Sequence, residues 1–173
     1  MFELETPRLR LIALTFEQLR LHATDYTALQ HSLGLTPYEM HLEPPFQAEF
    51  DDALVNYWLP ETAANTSHYQ WFTNWLIVLK SASKVIGGIG VTGLPDEQGE
   101  TEIGYSIAPD YRGRGIATEA VMYFSEWVFR HPNAHTLIAR TPTETLASQR
   151  VLTKAGFSKI NEENHVILWK KRR

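Results

Sequence analysis

Between Thr101 and Phe129 the chain changes its hydrophobic period, and that change narrows the folds open to it. In "TEIGYSI" (Thr101 to Ile107), Ile103, Tyr105 and Ile107 share one face and Glu102, Gly104 and Ser106 the other, the period of two that a half-buried strand shows. After Pro109 and a turn, Ala117, Ala120, Val121, Phe124 and Val128 fall on one side of a helix expected over Arg114 to Phe129. A strand that feeds a helix through so short a turn places the chain in the mixed α/β class.

The same reading extends along the chain. Leu9 to Leu14 is predicted as a strand. Thr15 with Gln18 forms a capping-box pair that opens a helical segment reaching His31. A second helix is expected from Gln47, stopped before Pro60. Trp75 to Leu79 and Val85 to Thr92 are strands around the polar turn Lys80 to Lys84, and "LPDEQGE" is a hairpin connection into Thr101. His135 to Arg140 is a strand. "TPTETLASQRVLTKAGF" is a helix with Thr141 or Thr143 at its N-cap and Gly156 closing it. Two last strands flank a turn at Asn161 to Asn164. The order is strand, two helices, three strands, helix, strand, helix, two strands.

With 173 residues, residues 1–173 are expected to form one domain, and a chain of that length can bury a core without staples. Net charge is −4, which does not favour nucleic acid or an anionic membrane as a partner, and the basic tail Lys170 to Arg173 reads as a solvated chain end. Cysteine is absent, so disulfides, thiolate metal sites and a cysteine nucleophile are excluded. "MFELETPRLRLIAL" lacks a basic region followed by an apolar core, and no apolar run approaches the ~20 residues of a membrane helix. These features together place the protein in the cytoplasm as an expectation.

Two patterns invite function and are better read as structure. "GIGVTG" (Gly88 to Gly93) matches the dinucleotide fingerprint, but Leu94, Pro95 and a turn follow where the motif needs a helix. Small residues in a twisted hairpin strand explain its glycines. Of the seven histidines only His131 and His135 stand four apart, and Pro132 between them breaks a shared helical face, so no metal is expected.

"YRGRGIATEA" carries the chemistry. The first turn of a helix presents unpaired N–H groups and the positive end of its dipole, which suit a phosphate. Gly113 and Gly115 let backbone approach it, and Arg112 and Arg114 add charge that complements a diphosphate. The alternative is a glycine-rich turn with exposed arginines.

The segment Arg112-Gly113-Arg114-Gly115-Ile116-Ala117 resembles the acyl-CoA-binding motif of the GNAT superfamily of N-acyltransferases, [Q/R]-x-x-G-x-[G/A]. "TEIGYSIAPDYRGRGIATEAV" is similar to the strand, loop and helix that hold CoA there, and "TLASQRVLTKAGF" to the helix that follows. "ETPRLRLIAL" resembles the first strand of the branch containing ribosomal-protein N-terminal acetyltransferases. The resemblance implies a central mixed, mostly antiparallel sheet of about six to seven strands, splayed between two parallel strands and flanked by about four helices. Those strands would be Thr101 to Ile107 and His135 to Arg140, with a bulge or close approach at Gly104. Tyr105, Ser106 and Ile107 would offer backbone groups to pantetheine, and Gly113 to Thr118 would cradle the pyrophosphate. A homodimer is common in that branch.

The implied reaction is acetyl transfer from acetyl-CoA to a primary amine, on a protein N-terminus or a small molecule, by direct attack. Glu102 is the candidate base, directly or through water. Many relatives carry N-x-x-S early in the last helix. Here Thr145 replaces the asparagine and Ser148 matches the serine, so Thr145 is left to contact CoA with one hydroxyl and Ser148 to face the CoA sulfur. Leu152 stands where another branch has tyrosine. These departures keep open a module that holds acyl-CoA without turnover, and an interaction protein that keeps only the fold.

Overall fold

The computed structural model describes all residues from Met1 to Arg173. Eight strands form one sheet: β1 (Phe2–Glu5), β2 (Leu9–Ala13), β3 (Trp75–Leu79), β4 (Lys84–Val91), β5 (Glu100–Ile107), β6 (Thr136–Pro142), β7 (Ser158–Glu163) and β8 (Val166–Arg172). Their order across the sheet is β1-β2-β3-β4-β5-β6-β8-β7. Every pair is antiparallel except β5 with β6. The helices are α1 (Phe16–Thr24), α2 (Tyr26–Ser32), α3 (Pro44–Ala53), α4 (Leu59–Ala64), α5 (Ile116–Val128) and α6 (Leu146–Lys154).

Alternation within the strands builds two cores. In β2, Leu9, Leu11 and Ala13 join the larger cluster beneath α5 and α6, and Ile12 joins the smaller one with Leu19 of α1 and Leu29 of α2. In β5, Ile103 and Ile107 are buried in the larger core, with Tyr105 packed against it. Glu102, Gly104 and Ser106 therefore look toward the opposite side of the sheet, where α1 to α4 lie.

The elements differ from the sequence reading in instructive places. The strand β1 is additional. The capping box holds, with Gln18 N–H donating to Thr15 Oγ1 at 3.3 Å and Thr15 N–H to Gln18 Oε1 at 2.9 Å. The helical segment then breaks at Asp25, which caps α2 by accepting from Ala28 N–H. The second helix starts earlier, at Pro44, and does not stop at Pro60. A π turn over Leu54–Trp58 joins α3 to α4, and Leu59 N–H reaches five residues back to the Leu54 carbonyl. That change of partner lets Pro60 sit in the first turn of α4, where its missing N–H costs nothing.

The N-cap position of the last helix is Thr145, not Thr141 or Thr143, with no side-chain cap bond, because β6 runs on to Pro142 and Thr141 accepts from the Trp169 indole. The final turn is Asn164-His165, both at positive φ, rather than Asn161 to Asn164. Gly104 pairs regularly with Gly90, so β5 has no bulge there. The irregularity lies in β4, where Ile77 pairs with Gly87 and Val78 with Val85, leaving Ile86 between them. The glycines of "GIGVTG" sit in and just beyond β4, and a Cβ on Gly88 would stand 2.7 Å from Asn74 Oδ1, which explains a small residue there.

Candidate functional site

The parallel pairing of β5 with β6 covers only Glu100–Thr136, Thr101–Leu137 and Glu102–Ile138. Beyond it β5 stays with β4 as far as Ile107, while β6 stays with β8. The two strands diverge, and the edge of β5 that faces the gap has no strand partner.

The gap opens into a cleft of about 440 Å³. Tyr105, Ser106 and Ile107 form one wall, and Thr145, Ala147, Ser148, Arg150, Val151 and Lys154 the other. Tyr111, Arg112, Gly113, Gly115, Ile116, Ala117 and Thr118 close the end, with Leu42 and Phe46 above. Every residue assigned to CoA from the sequence lines this cleft except Arg114. Glu102 does not line it. Leu42, Phe46, Tyr111, Arg150 and Lys154 were not foreseen, although Arg150 and Lys154 stand four apart on one helical face.

The floor of the cleft is a bare helix end. Gly115 is the N-cap of α5 and no side chain caps it. Gly113 and Gly115 have φ of 75° and 74°, a left-handed conformation that side chains resist. A Cβ at Gly113 would meet nothing within 4 Å, so the space before the loop is open as well.

The loop is braced from behind by residues the sequence did not mark. Arg8, in the turn between β1 and β2, donates from Nη1 to the Arg114 carbonyl at 2.9 Å and from Nε to Glu119 Oε2 at 2.6 Å. Glu119 also accepts from Thr6 Oγ1 at 2.5 Å and from Arg8 N–H at 2.9 Å. Burial alone would raise the Glu119 carboxyl, but the bonds from Thr6 and Arg8 overcome it and hold the group below the usual carboxylate range.

Both motif arginines are engaged within the chain. Arg112 forks onto Glu43 at 2.5 and 2.7 Å and gives its Nε to the Ile107 carbonyl. Arg114 donates to the Asp110 carbonyl and lies 5.4 Å over the Tyr111 ring. Glu102 pairs with Arg140 across the parallel strands, on the face opposite α5. Only its Oε2 is used in that contact. Tyr105 spans the cleft. Its phenol oxygen lies 2.8 Å from Ser148 Oγ, and burial pushes the phenol up to about 12 although the bond to Ser148 pulls it down.

The sequence profile of the acetyltransferase (GNAT) domain matches residues 10–158. The chain therefore belongs to the GNAT family of acetyltransferases. Among curated relatives, the uncharacterized N-acetyltransferase YjdG of Bacillus subtilis (strain 168) is 32% identical over 155 residues, 89% of this chain and 88% of that protein. The fold is shared with the ribosomal-protein-S5-alanine acetyltransferase of Vibrio fischeri, with a TM-score of 0.68 at 20% identity over 99% of this chain and 97% of that one. It is also shared with RimL, a ribosomal L7/L12 alpha-N-protein acetyltransferase solved with coenzyme A, with a TM-score of 0.66 at 14% identity over 99% and 98% of the two chains.

Proposed function

We propose that this chain binds acetyl-CoA in the cleft between β5 and α6 and transfers the acetyl group to a primary amine by direct attack, with donor and acceptor held together. The observation that carries the reading is the split of β5 from β6, which runs into an uncapped helix end fronted by two glycines at positive φ. The residues fit the group. Gly113 to Thr118 offer the anion-binding end of α5 to the diphosphate. The unpaired edge at Tyr105, Ser106 and Ile107 suits the amide-bearing pantetheine arm. Thr145 and Ser148 offer hydroxyls from the far wall, and Arg150 and Lys154 add positive charge, with Arg112 beside them paired to Glu43. Arg114 serves this site by holding the shape of the loop.

Bound acetyl-CoA supplies an acyl group activated as a thioester. The chain supplies the rest. An ammonium cannot attack, so its proton must first be accepted, and Glu102 takes it through its free oxygen, directly or through a water. Ser148 is the hydroxyl placed to donate to the leaving sulfur. With no cysteine in the chain, transfer through an enzyme thioester is excluded.

Coenzyme A should raise the thermal midpoint, because it binds the folded state: ~100-fold above Kd it contributes about 2.7 kcal/mol. In a chain of this size that is roughly 5–10 °C. A panel of amines, including peptides with free N-termini, polyamines and amino acids, should then give thiol release above the amine-free rate with at least one member. Binding without any amine-dependent release would mark a module that holds acyl-CoA without turnover. Glu102→Gln should lower turnover by about tenfold or more near neutrality and recover part of it at high pH, where amines are neutral unaided, with CoA affinity unchanged. Full activity across the pH range would remove Glu102 from the reaction.

A further inference from the structure

We infer that Tyr105 is a positioning residue for Ser148: its phenol donates to Ser148 Oγ and so leaves the serine's own hydrogen to point into the cleft, at the leaving sulfur of the acyl donor. The inference rests on the cleft being the acetyl-CoA site. Tyr105 stands on β5 and Ser148 on α6, on opposite walls.

On distance alone either hydroxyl could donate, and the phenol is taken as the donor because of what else is in its reach. The phenol oxygen is 2.8 Å from Ser148 Oγ and 3.3 Å from the Ser148 carbonyl oxygen. The phenol has one hydrogen and a carbonyl can only accept; that hydrogen is taken to point at Ser148 Oγ, the nearer of the two oxygens, with the carbonyl as the weaker second acceptor. The serine hydrogen then has no acceptor within the chain. Hydroxyls in helices ordinarily return to the carbonyl four residues back. Ser125 does so onto Val121 at 2.6 Å, and Thr153 of α6 onto Gln149 at 2.9 Å. Ser148 lies in the first turn of α6, and the residue four back, Glu144, is outside the helix.

Burial keeps the phenol protonated far into alkaline pH, so Tyr105 is a fixed donor and not an acid. A phenol with its affinity raised to about 12 does not surrender a proton to a thiolate, whose ordinary value is about 8.5. As the C–N bond forms and the C–S bond breaks, Ser148 steadies the electron pair left on sulfur. The amine's proton goes to Glu102 or water, and solvent returns one to the sulfur. The other ionisable groups lining the cleft are Tyr111, Arg112, Arg150 and Lys154, and none of them bonds to Tyr105 or Ser148.

The test follows the thiol of bound coenzyme A itself, by its thiolate absorbance as pH is raised. In the parent protein the midpoint should lie below that of free coenzyme A. Ser148→Ala should raise it by about one pH unit, the size of a hydrogen bond to a charged group. Tyr105→Phe should raise it by a similar amount while CoA still binds, and the double variant no further than either single one. Ser148→Thr, which keeps a hydroxyl, should restore much of the parent value. If Tyr105→Phe does not fold, a fluorinated tyrosine at position 105 keeps the ring and strengthens the donor, and the midpoint should fall. A Tyr105→Phe protein that binds CoA with the parent midpoint, additive single changes, or a fluorinated tyrosine without effect would overturn the inference. Absence of CoA binding by the parent protein would overturn the assignment of the cleft, and this inference with it.

Discussion

The loop before α5 and the segment from Leu33 into α3 face each other across the mouth of the cleft and are held in different ways. Charged hydrogen bonds clamp the loop from behind: Glu119 accepts from Thr6 and twice from Arg8, and Arg8 also holds the Arg114 carbonyl. The α3 side has no such clamp. Helix α3 buries no residue. The strap before it is anchored at its start by buried Leu33 and Leu35, by Thr36 N–H to the Ser83 carbonyl and by Tyr38 N–H to Gln30 Oε1. Nearer the mouth it is held by the Arg112–Glu43 pair and an edge contact of Tyr38 with Tyr111 at 5.9 Å. Exposed pairs of that kind contribute little to stability. On the proposed reading the clamped wall would meet the same diphosphate at every turnover and the softer one would face the acceptor, a division of preorganisation and adaptability within one site.

The largest effect should come from the rigid side. Gly115→Val sets a branched residue at a φ of 74°, a strain of about 1–2 kcal/mol, and fills the approach to the helix end. Calorimetry should detect no CoA binding although far-ultraviolet circular dichroism reports a folded chain. Parent affinity in that variant would erase the contrast between the two walls.

The second effect belongs to the softer side. His22 of α1 packs against Phe50 of α3 and Tyr26 of α2, and burial lowers its value to about 4. In the unfolded chain it titrates near 6.5, so between those values the unfolded state binds more protons and stability is lost as pH falls. The loss should approach about 3 kcal/mol at the acid end, and His22→Phe should flatten that limb of a plot of thermal midpoint against pH. An unchanged limb would place the acid sensitivity elsewhere.

Glu119→Gln should cost about 1.5–3 kcal/mol, the range for hydrogen bonds to a charged group, and should weaken CoA binding by loosening the loop. The Glu119 carboxyl is held below its unfolded value, so its contribution is full above the ordinary carboxylate range and disappears as pH drops through the lowered value. The difference in midpoint between parent and variant should therefore shrink in acid. Glu43→Gln, on the soft side, should change the thermal midpoint by the equivalent of less than about 1 kcal/mol. A drop as large as that of Glu119→Gln would show that the strap is clamped after all.

Much of this was legible in the sequence because it is local. Periods of two and of 3.6 mark β5 and α5, and the spacing of Gly113 and Gly115 before α5 marks the helix end. What sequence missed joins distant residues. Arg8 meets Glu119 across 111 positions, Arg112 meets Glu43 across 69, and Tyr105 meets Ser148 across 43. Prolines misled in the other direction. Pro60 reads as a stop, yet a π turn just before it turns it into a first-turn residue. Thr141 and Thr143 read as caps, yet β6 draws Thr141 into the sheet and moves the N-cap position to Thr145, whose side chain makes no cap bond.

An amide NMR titration with coenzyme A tests the cleft most directly. The largest shifts should fall on Gly113, Gly115 and the first-turn amides Ile116, Ala117 and Thr118, followed by Tyr105 to Ile107 on the unpaired edge of β5. Shifts centred on α1 to α4 or on β7, with the first turn of α5 unmoved, would contradict the reading of that helix end as the diphosphate site.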